Sequence, residues 1–359
     1  MIAQLGRGLA EHGVESRIFT LSPRPEPRVL RFPEGEVHRS RQTLEIASNN
    51  MSLSAFGDFR RQLDWADVVH YQFPWPFGDI LHLACATSKP SLVSYQSDIV
   101  RQKWLMRAYR PVMTRFLNSL DLVVATSPEY KASSQVLAAL RTPVEVIPNG
   151  VDEASYPRPS DDDLARWRAQ VGDEFFLFVG VLRYYKGLHT LIEASRGLPA
   201  RVVIAGDGPE RAALEAMVKA AGLDNVVFLG AIDDKDKMAL LRLCKGFVFP
   251  SHLRSEAFGM SLVEAAMASK PMISCSIGTG TTYINEDGVT GLAVPPESAT
   301  SLRAAMQALL DQPERSAAMG RAARARYEAR FTARAMARAY AAAYARLVAA
   351  RSATVRAAP

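Results

Sequence analysis

The second half of the chain alternates between two hydrophobic patterns. Residues 175–180 (FFLFVG), 201–205 (RVVIA), 226–229 (VVFL), 246–250 (GFVFP) and 271–275 (PMISC) are short, continuous apolar or β-branched runs. Between them, residues 190–196, 210–221, 236–243 and 262–269 place apolar side chains at helical spacing. Continuous hydrophobicity marks strands buried on both faces, and strands alternating with helices predict a parallel sheet covered on either side. This half therefore reads as a Rossmann-like domain.

The first half repeats the theme less regularly, with core strands predicted at 68–71 (VVHY), 91–95 (SLVSY), 122–125 (LVVA) and 144–147 (VEVI). Ile2, Leu5 and Leu9 lie on one face of a helix, Gly13 stands where glycines end helices, and 14–21 reads as a strand. An α/β domain usually begins with a buried strand, so the expectation is that this helix lacks the strand that should feed it. Pro148, the Asn149-Gly150 pair, Val151 and Asp152 mark a turn, which puts a domain boundary near residue 150. The fold class expected is α/β, with two doubly wound domains at 1–150 and 151–328 and a helical tail at 329–359. In open sheets of this kind ligands bind at the carboxyl ends of the strands, so two such domains facing one another would form a cleft.

At 359 residues, 48% hydrophobic and 22% charged, the chain has ample material for two cores. No apolar run approaches the roughly 20 residues needed to cross a bilayer, and the start lacks a signal-peptide pattern, so a cytoplasmic location is expected. Three scattered cysteines, Cys85, Cys244 and Cys275, suit reduced thiols better than disulfides or a metal knuckle. The net charge of +6 is local: ten arginines and one acid, Glu328, lie between Arg315 and Pro359. Alanines between those arginines predict a long helix with a solvated cationic face; without interleaved aromatic residues, nucleic acid is not an expected partner.

The densest candidate chemistry is Ser255-Glu256-Ala257-Phe258-Gly259-Met260-Ser261-Leu262-Val263-Glu264. Glu256 falls in a loop after a strand and Glu264 eight positions later, inside the next helix. Gly259 lets backbone approach a ligand, and the helix start offers free N–H groups to phosphate or sugar oxygens. Either glutamate alone would more often be an ordinary surface residue.

This stretch resembles the E-x7-E signature of retaining glycosyltransferases of family 4, which have the two-domain GT-B fold. The resemblance implies that Glu264 holds the donor ribose and that Glu256, with Phe258, Gly259 and Met260, faces the donor sugar. The segment Gly180 to Gly187 resembles the family's G-R-L-x-x-x-K-G loop, whose cations hold the donor diphosphate; Val181 stands in place of the usual arginine, so Arg183 and Lys186 are the candidates. Fixed cations suit a leaving nucleoside diphosphate, which gains negative charge as the glycosidic bond breaks. Ala205-Gly206-Asp207-Gly208-Pro209 resembles a strand-end turn close to the nucleotide; Arg211 occupies the place of the third glycine of a dinucleotide fingerprint, which weakens a dehydrogenase reading. Gly278 to Thr282 resembles the phosphate-facing loop, with Thr281 and Thr282 as donor contacts.

On the acceptor side, His70-Tyr71-Gln72 and Ser94 to Asp98 resemble the His-x-His and T-x-H-x-D-like segments that family members often carry, which makes His70, Gln72, Gln96 and Asp98 the acceptor-side candidates; here the histidines expected at Gln72 and Gln96 are glutamines, which cannot titrate. In relatives of this fold a first strand and a glycine-rich loop precede the opening helix, so about 20 residues are expected to be missing before Met1. The tail at 329–359 is expected to return toward the first domain. Arg101, Lys103, Trp104, Arg107 and Arg110, on a helical segment that Pro111 is expected to kink or divide, suit an anionic membrane surface, although a core stripe with a solvated back is an equal reading on periodicity alone.

Residues 73–79 (FPWPFGD), 94–104 (SYQSDIVRQKW) and 181–188 (VLRYYKGL) resemble mannosyl- and rhamnosyltransferases of O-polysaccharide assembly, and this resemblance implies transfer of a hexose, such as mannose or rhamnose, from a nucleotide diphosphate sugar, with a GDP-linked donor expected. The implied acceptor is a lipid-linked surface glycan such as lipopolysaccharide O-antigen, reached from the inner face of the cytoplasmic membrane. No cofactor and no metal are expected, since Asp161 to Asp163 and Asp233-Asp234 read as solvated turns. A catalytically impaired nucleotide-sugar-binding relative or scaffold, or a sugar-nucleotide epimerase of the same fold, remain alternatives.

Overall fold

The computed structural model describes residues 1–46, 49–99 and 103–357. The chain divides into two compact units, Met1–Gly150 with Ala333–Pro359, and Val151–Thr332. The helix Pro313–Arg330 is thus part of the second unit, held there by buried Met319, Ala323 and Tyr327, so the boundary falls after Thr332 and not at 328.

In the first unit β1 (Arg17–Ser22), β2 (Val29–Phe32) and β3 (Gly35–Arg41) form a sheet of order β1-β3-β2, with β1 and β3 parallel and β2 antiparallel to β3. A short hairpin joins β4 (Leu44–Ile46) to β5 (Asn49–Met51). A separate parallel sheet follows in the order β6 (Val69–Phe73), β7 (Ser91–Tyr95), β8 (Leu122–Ala125) and β9 (Val144–Val146). Among the described residues no strand joins β1 to β6. A cavity of about 500 Å³ is walled there by both strands, through Ile18 and Thr20 on one side and His70 and Gln72 on the other. The opening helix Ile2–Ala10 buries Leu5 and Leu9 against Met336, Ala337, Tyr340 and Tyr344 of the final helix Ala333–Ala357. Gly8 lets the two approach, since a Cβ there would lie 2.6 Å from the Cβ of Ala337.

The second unit is built on six parallel strands, β10 (Phe175–Val179), β11 (Arg201–Ala205), β12 (Val226–Gly230), β13 (Gly246–Phe249), β14 (Met272–Cys275) and β15 (Gly291–Val294), in the order β12-β11-β10-β13-β14-β15. Phe175, Phe176, Leu177 and Phe178 are all fully buried, as expected of a central strand covered on both faces. The order reverses between β10 and β13, which is where an open α/β sheet presents its ligand crevice.

Charged positions behave differently from their sequence reading. Asp161, Asp162 and Asp163 form the first turn of the helix Asp161–Val171, where Ser160 and Asp163 make a reciprocal capping box; Asp233 caps the helix Asp234–Leu243. Carboxylates there answer unpaired N–H groups and the positive helix end. Among the described residues four arginines of the tail form ion pairs, Arg324 with Glu153 (2.7 Å), Arg326 with Glu286 (2.7 Å), Arg346 with Glu145 (2.7 Å) and Arg334 with Glu11 (3.4 Å), while Arg315, Arg321, Arg330, Arg338 and Arg351 are exposed, as a solvated cationic face requires.

Asp79, in the first turn of the helix Pro76–Cys85, is 2% exposed and hydrogen-bonded by the Tyr109 hydroxyl. Burial pushes its carboxyl up to about 8. An unfolded aspartate releases its proton near pH 4, whereas the native one keeps it to about pH 8, so stability is expected to fall as pH rises across that window, by at most about 1.4 kcal/mol per pH unit. Asp79→Asn should flatten this slope, raising the melting temperature more at pH 8 than at pH 5 in thermal denaturation. Equal shifts at both pH values would mean that Asp79 is ionised in the native protein.

Candidate functional site

The carboxyl ends of β10, β11, β13 and β14 carry the loops singled out in the sequence. The loop after β10 closes as a single 3₁₀ turn, Tyr184–Lys186, ended by Gly187 in a left-handed conformation (φ 69°). A side chain at Gly187 would place its Cβ 2.1 Å from the Pro250 carbonyl oxygen, so only glycine lets this turn pack on the strand end after β13. Lys186 is thereby aimed across the strand end, with its ammonium 4.6 Å from the ring centre of Phe249.

Lys186 Nζ donates to Glu256 Oε2, which also accepts from Ser251 Oγ (3.3 Å). The two charged side chains are only 12% and 11% exposed. The two residues expected to face the donor separately are therefore partners of one another, and an incoming diphosphate would compete with Glu256 for the ammonium. Arg183, beside them, is exposed and makes no ion pair among the described residues.

Glu264 sits on the helix Met260–Met267, whose first position follows Gly259 in a left-handed conformation (φ 101°). Its Oε1 accepts from Tyr156 Oη (2.8 Å) and from Lys237 Nζ (2.8 Å). Burial by itself would lower the Lys237 ammonium, but the carboxylates of Glu264 and Asp234 outweigh it and raise it above the ordinary lysine value. Tyr156 and Lys237 were not legible as site residues. They lie 108 and 27 positions from Glu264, and only the sheet topology brings them together.

Phe258 and Gly259 are buried, and Gly280 packs directly behind them: its N–H donates to the Ala257 carbonyl (2.9 Å), and a Cβ there would lie 2.6 Å from the Phe258 ring. The E-x7-E loop and the Gly278–Thr282 loop thus form one packed body. Thr281 differs from its sequence reading, because its hydroxyl is buried and donates to the Cys275 carbonyl at the end of β14 (3.2 Å), turned away from solvent. Thr282 is half-buried, and its hydroxyl donates to the Thr279 carbonyl (3.3 Å). A Cβ at Gly206 would lie 2.0 Å from the Gly180 carbonyl oxygen and one at Gly208 2.5 Å from that of Leu182, so both serve the contact between two loops.

In the first unit, His70 Nδ1 is hydrogen-bonded to Tyr344 (2.7 Å) and Nε2 to Ser94 (2.7 Å), which meets Tyr340 in turn. The polar chain continues through Gln72 Nε2 at 3.2 Å from His70, Gln96 Nε2 at 3.4 Å from Gln72 Oε1, and Asn149 Nδ2 at 3.0 Å from Gln96 Oε1. Burial pushes the His70 imidazole down to about 4, so it is neutral at physiological pH. His70, Gln72 and Gln96 are brought together as the sequence suggested; Tyr340 and Tyr344, from the last helix, are additions. Asp98 instead anchors its own loop, accepting from Tyr95 Oη and Ser134 Oγ (both 2.8 Å).

Of the residues expected at a membrane, Arg101 lies outside the described residues, as do the side chains of Lys103 and Trp104. The helix Lys103–Leu117 runs through Pro111 undivided. Arg107 and Arg110 are exposed on it and share an open groove of about 670 Å³ with Arg115 and Arg141. None of the four forms an ion pair among the described residues. No helix among the described residues is long and apolar enough to cross a membrane.

Comparison with known proteins agrees with this architecture. Residues 159–326 match the model of the glycosyl transferases group 1, and residues 1–155 that of glycosyltransferase family 4. The chain is 51% identical to D-rhamnosyltransferase WbpZ of Pseudomonas aeruginosa, over 91% of this chain and 86% of the relative. It is 45% identical to O-antigen chain mannosyltransferase C of Escherichia coli, over 91% of this chain and 88% of the relative. Among solved structures, sucrose-phosphate synthase of Thermosynechococcus elongatus superposes with a TM-score of 0.79 at 24% identity, covering 97% of this chain and 92% of that one. A HepE structure from Anabaena, in complex with UDP and glucose, superposes with a TM-score of 0.75 at 21% identity, covering 96% and 95%. These last two share the fold. Two doubly wound units, an E-x7-E loop at the switch point of the second, and 51% identity to a rhamnosyltransferase over nine-tenths of this chain lead to one conclusion: the chain belongs to glycosyltransferase family 4, the glycosyl transferases of group 1, and is a glycosyltransferase.

Proposed function

We propose that this enzyme transfers mannose or D-rhamnose, with retention of configuration, from a GDP-linked donor to a lipid-linked glycan during O-antigen assembly. The observation that carries this reading is the pair of relatives, 51% and 45% identical over nine-tenths of the chain, one named for D-rhamnose and one for mannose. The two sugars differ only by the hydroxyl at C6, so a single pocket shape suits either. Lys186 and Arg183 would hold the donor diphosphate, Glu264 the ribose, and Glu256 with the amides of Phe258, Gly259 and Met260 the hexose. The carboxylate–lysine pairs suit a donor that brings its own negative charge, and transfer is expected to proceed with Mg²⁺ and Mn²⁺ withheld. His70, Gln72 and Gln96 are proposed to serve the acceptor side. A panel of GDP-rhamnose, GDP-mannose, UDP-glucose and UDP-N-acetylglucosamine tests the reading, with donor hydrolysis and the anomeric configuration of the product as measurements. Turnover confined to UDP-linked sugars, or an inverted product, would overturn it.

Attachment to the anionic inner face of the cytoplasmic membrane is proposed to run through the helix that carries Arg107 and Arg110, with Arg115 and Arg141 adding charge. Unpaired surface cations attract anionic headgroups over about 8 Å at physiological salt, and each contributes about 1 kcal/mol. Binding to vesicles containing phosphatidylglycerol is therefore expected to weaken as salt rises, and Arg107→Glu/Arg110→Glu to lose it at least about tenfold, read by co-sedimentation. Retention by that variant would assign attachment elsewhere.

A further inference from the structure

His252, in the loop after β13, carries a side chain that is only 1% exposed, and neither ring nitrogen has a hydrogen-bond partner among the described residues. A buried imidazole with both nitrogens unpaired leaves a donor and an acceptor unsatisfied, a cost that folded proteins rarely leave uncompensated. His189, half-buried on the helix Leu188–Ala194, and Glu297, exposed just before the helix Ala299–Asp311, face it. One ligand atom from each of the three lies within 4.8 Å of the others, with His252 Nε2 at 3.8 Å from Glu297 Oε1. The reading of the donor site leaves these three groups without a role.

We propose that His189, His252 and Glu297 form a seat for one zinc ion, which fastens the loop that carries Lys186. Two imidazoles and one carboxylate are a borderline donor set that suits Zn²⁺, with a water in the fourth position. Zinc bonds of about 2.0–2.2 Å require ligand atoms about 3.4 Å apart in a tetrahedral site. His252 and Glu297 already stand 3.8 Å apart, so the approach needed, under about 1.5 Å, lies mainly with His189, which is half-buried, and with the exposed Glu297 side chain. The ion would join three segments distant in sequence. Two contacts lead from it to the donor loop: the His252 N–H donates to the Tyr185 carbonyl (3.0 Å), and the Tyr184 ring lies 5.0 Å from that of His252 and 5.4 Å from that of His189. The seat thus braces the turn next to Lys186 and takes no part in bond cleavage.

The test is zinc uptake by the chelator-stripped full chain, followed by calorimetry with ZnCl₂ alone. One ion per chain is expected, with a rise in melting temperature, because a ligand that binds only the native state stabilises it. His189→Gln and Glu297→Gln change side chains that are not fully buried and should leave the circular dichroism spectrum unchanged while weakening zinc binding at least about tenfold. Cobalt loading supplies a second readout: a visible spectrum of nitrogen and oxygen ligation, lost in both variants. Absence of stoichiometric uptake by the wild-type chain overturns the proposal. So does uptake that survives both variants, or a thiolate-to-cobalt band, which would place the ion on a cysteine.

Discussion

Lys186→Ala is expected to lower turnover roughly a hundred- to a thousandfold, the range for removing one group aimed at charge that develops in the transition state. The leaving diphosphate gains negative charge as the glycosidic bond breaks, and Lys186 stands at the end of β10 on a turn whose φ-positive Gly187 fixes its direction. Its ion pair with Glu256 complicates the simple variant. With both side chains nearly buried, removal of the lysine strands a carboxylate, and loss of one partner from such a pair costs about 3–5 kcal/mol of stability. A lower melting temperature is therefore expected together with the lost activity, and poor folding could imitate a catalytic defect. Lys186→Ala/Glu256→Gln, compared with Glu256→Gln alone because Glu256 is itself proposed to face the hexose, separates the two effects. It should recover most of the melting temperature, because no uncompensated charge remains, while turnover stays low. Turnover that returned with stability would make Lys186 a structural residue.

Glu264→Ala should weaken the nucleoside diphosphate by roughly tenfold to a hundredfold, equivalent to about 1.5–3 kcal/mol for a charge-assisted bond. Calorimetry with GDP reads the effect directly. The rate at saturating donor should change far less, because the ribose carries no charge that grows during the reaction. Here too the structure adds a condition. Glu264 accepts from Tyr156 and Lys237 at 2.8 Å each, so the alanine variant also strips Lys237 of one of its two carboxylate partners. Glu264→Gln keeps an oxygen for the Tyr156 hydroxyl and should bind GDP better than the alanine variant, though less well than the wild type. Unchanged GDP affinity in both variants would remove Glu264 from the nucleotide site.

How far the site was legible differs from element to element. The strands β10, β11, β12, β13 and β14 were recovered within a few residues, because their buried positions are almost all apolar; even β12, at the sheet edge and only partly buried in its middle, keeps the continuous run VVFL. β15 (GLAV) and the β2–β3 hairpin were missed. β15 lies at the edge of its sheet with its two middle residues only partly buried, and β2 is mostly exposed, so neither carries the strong apolar run of a central strand. The E-x7-E segment was recognised because its spacing is local: a glycine turn, a helix start and two glutamates lie within ten consecutive residues.

The sequence by itself determined the class of fold, the place of the loops at the strand ends and the candidate charges Lys186, Glu256 and Glu264, since each depends on hydrophobic period or on short spacing along the chain. The tertiary structure alone decided what those charges meet. Lys186 and Glu256 are 70 positions apart, Tyr156 and Glu264 108, and His70 and Tyr344 274; each pair forms only because the chain path returns strands, loops or the last helix to the same place. The same reason made Arg324, Arg326 and Arg346 of the tail partners of Glu153, Glu286 and Glu145, and it left His252 buried beside His189 and Glu297. Patterns of period two and 3.6 report which face of an element is buried, whereas pairing across the chain depends on the topology that those patterns build.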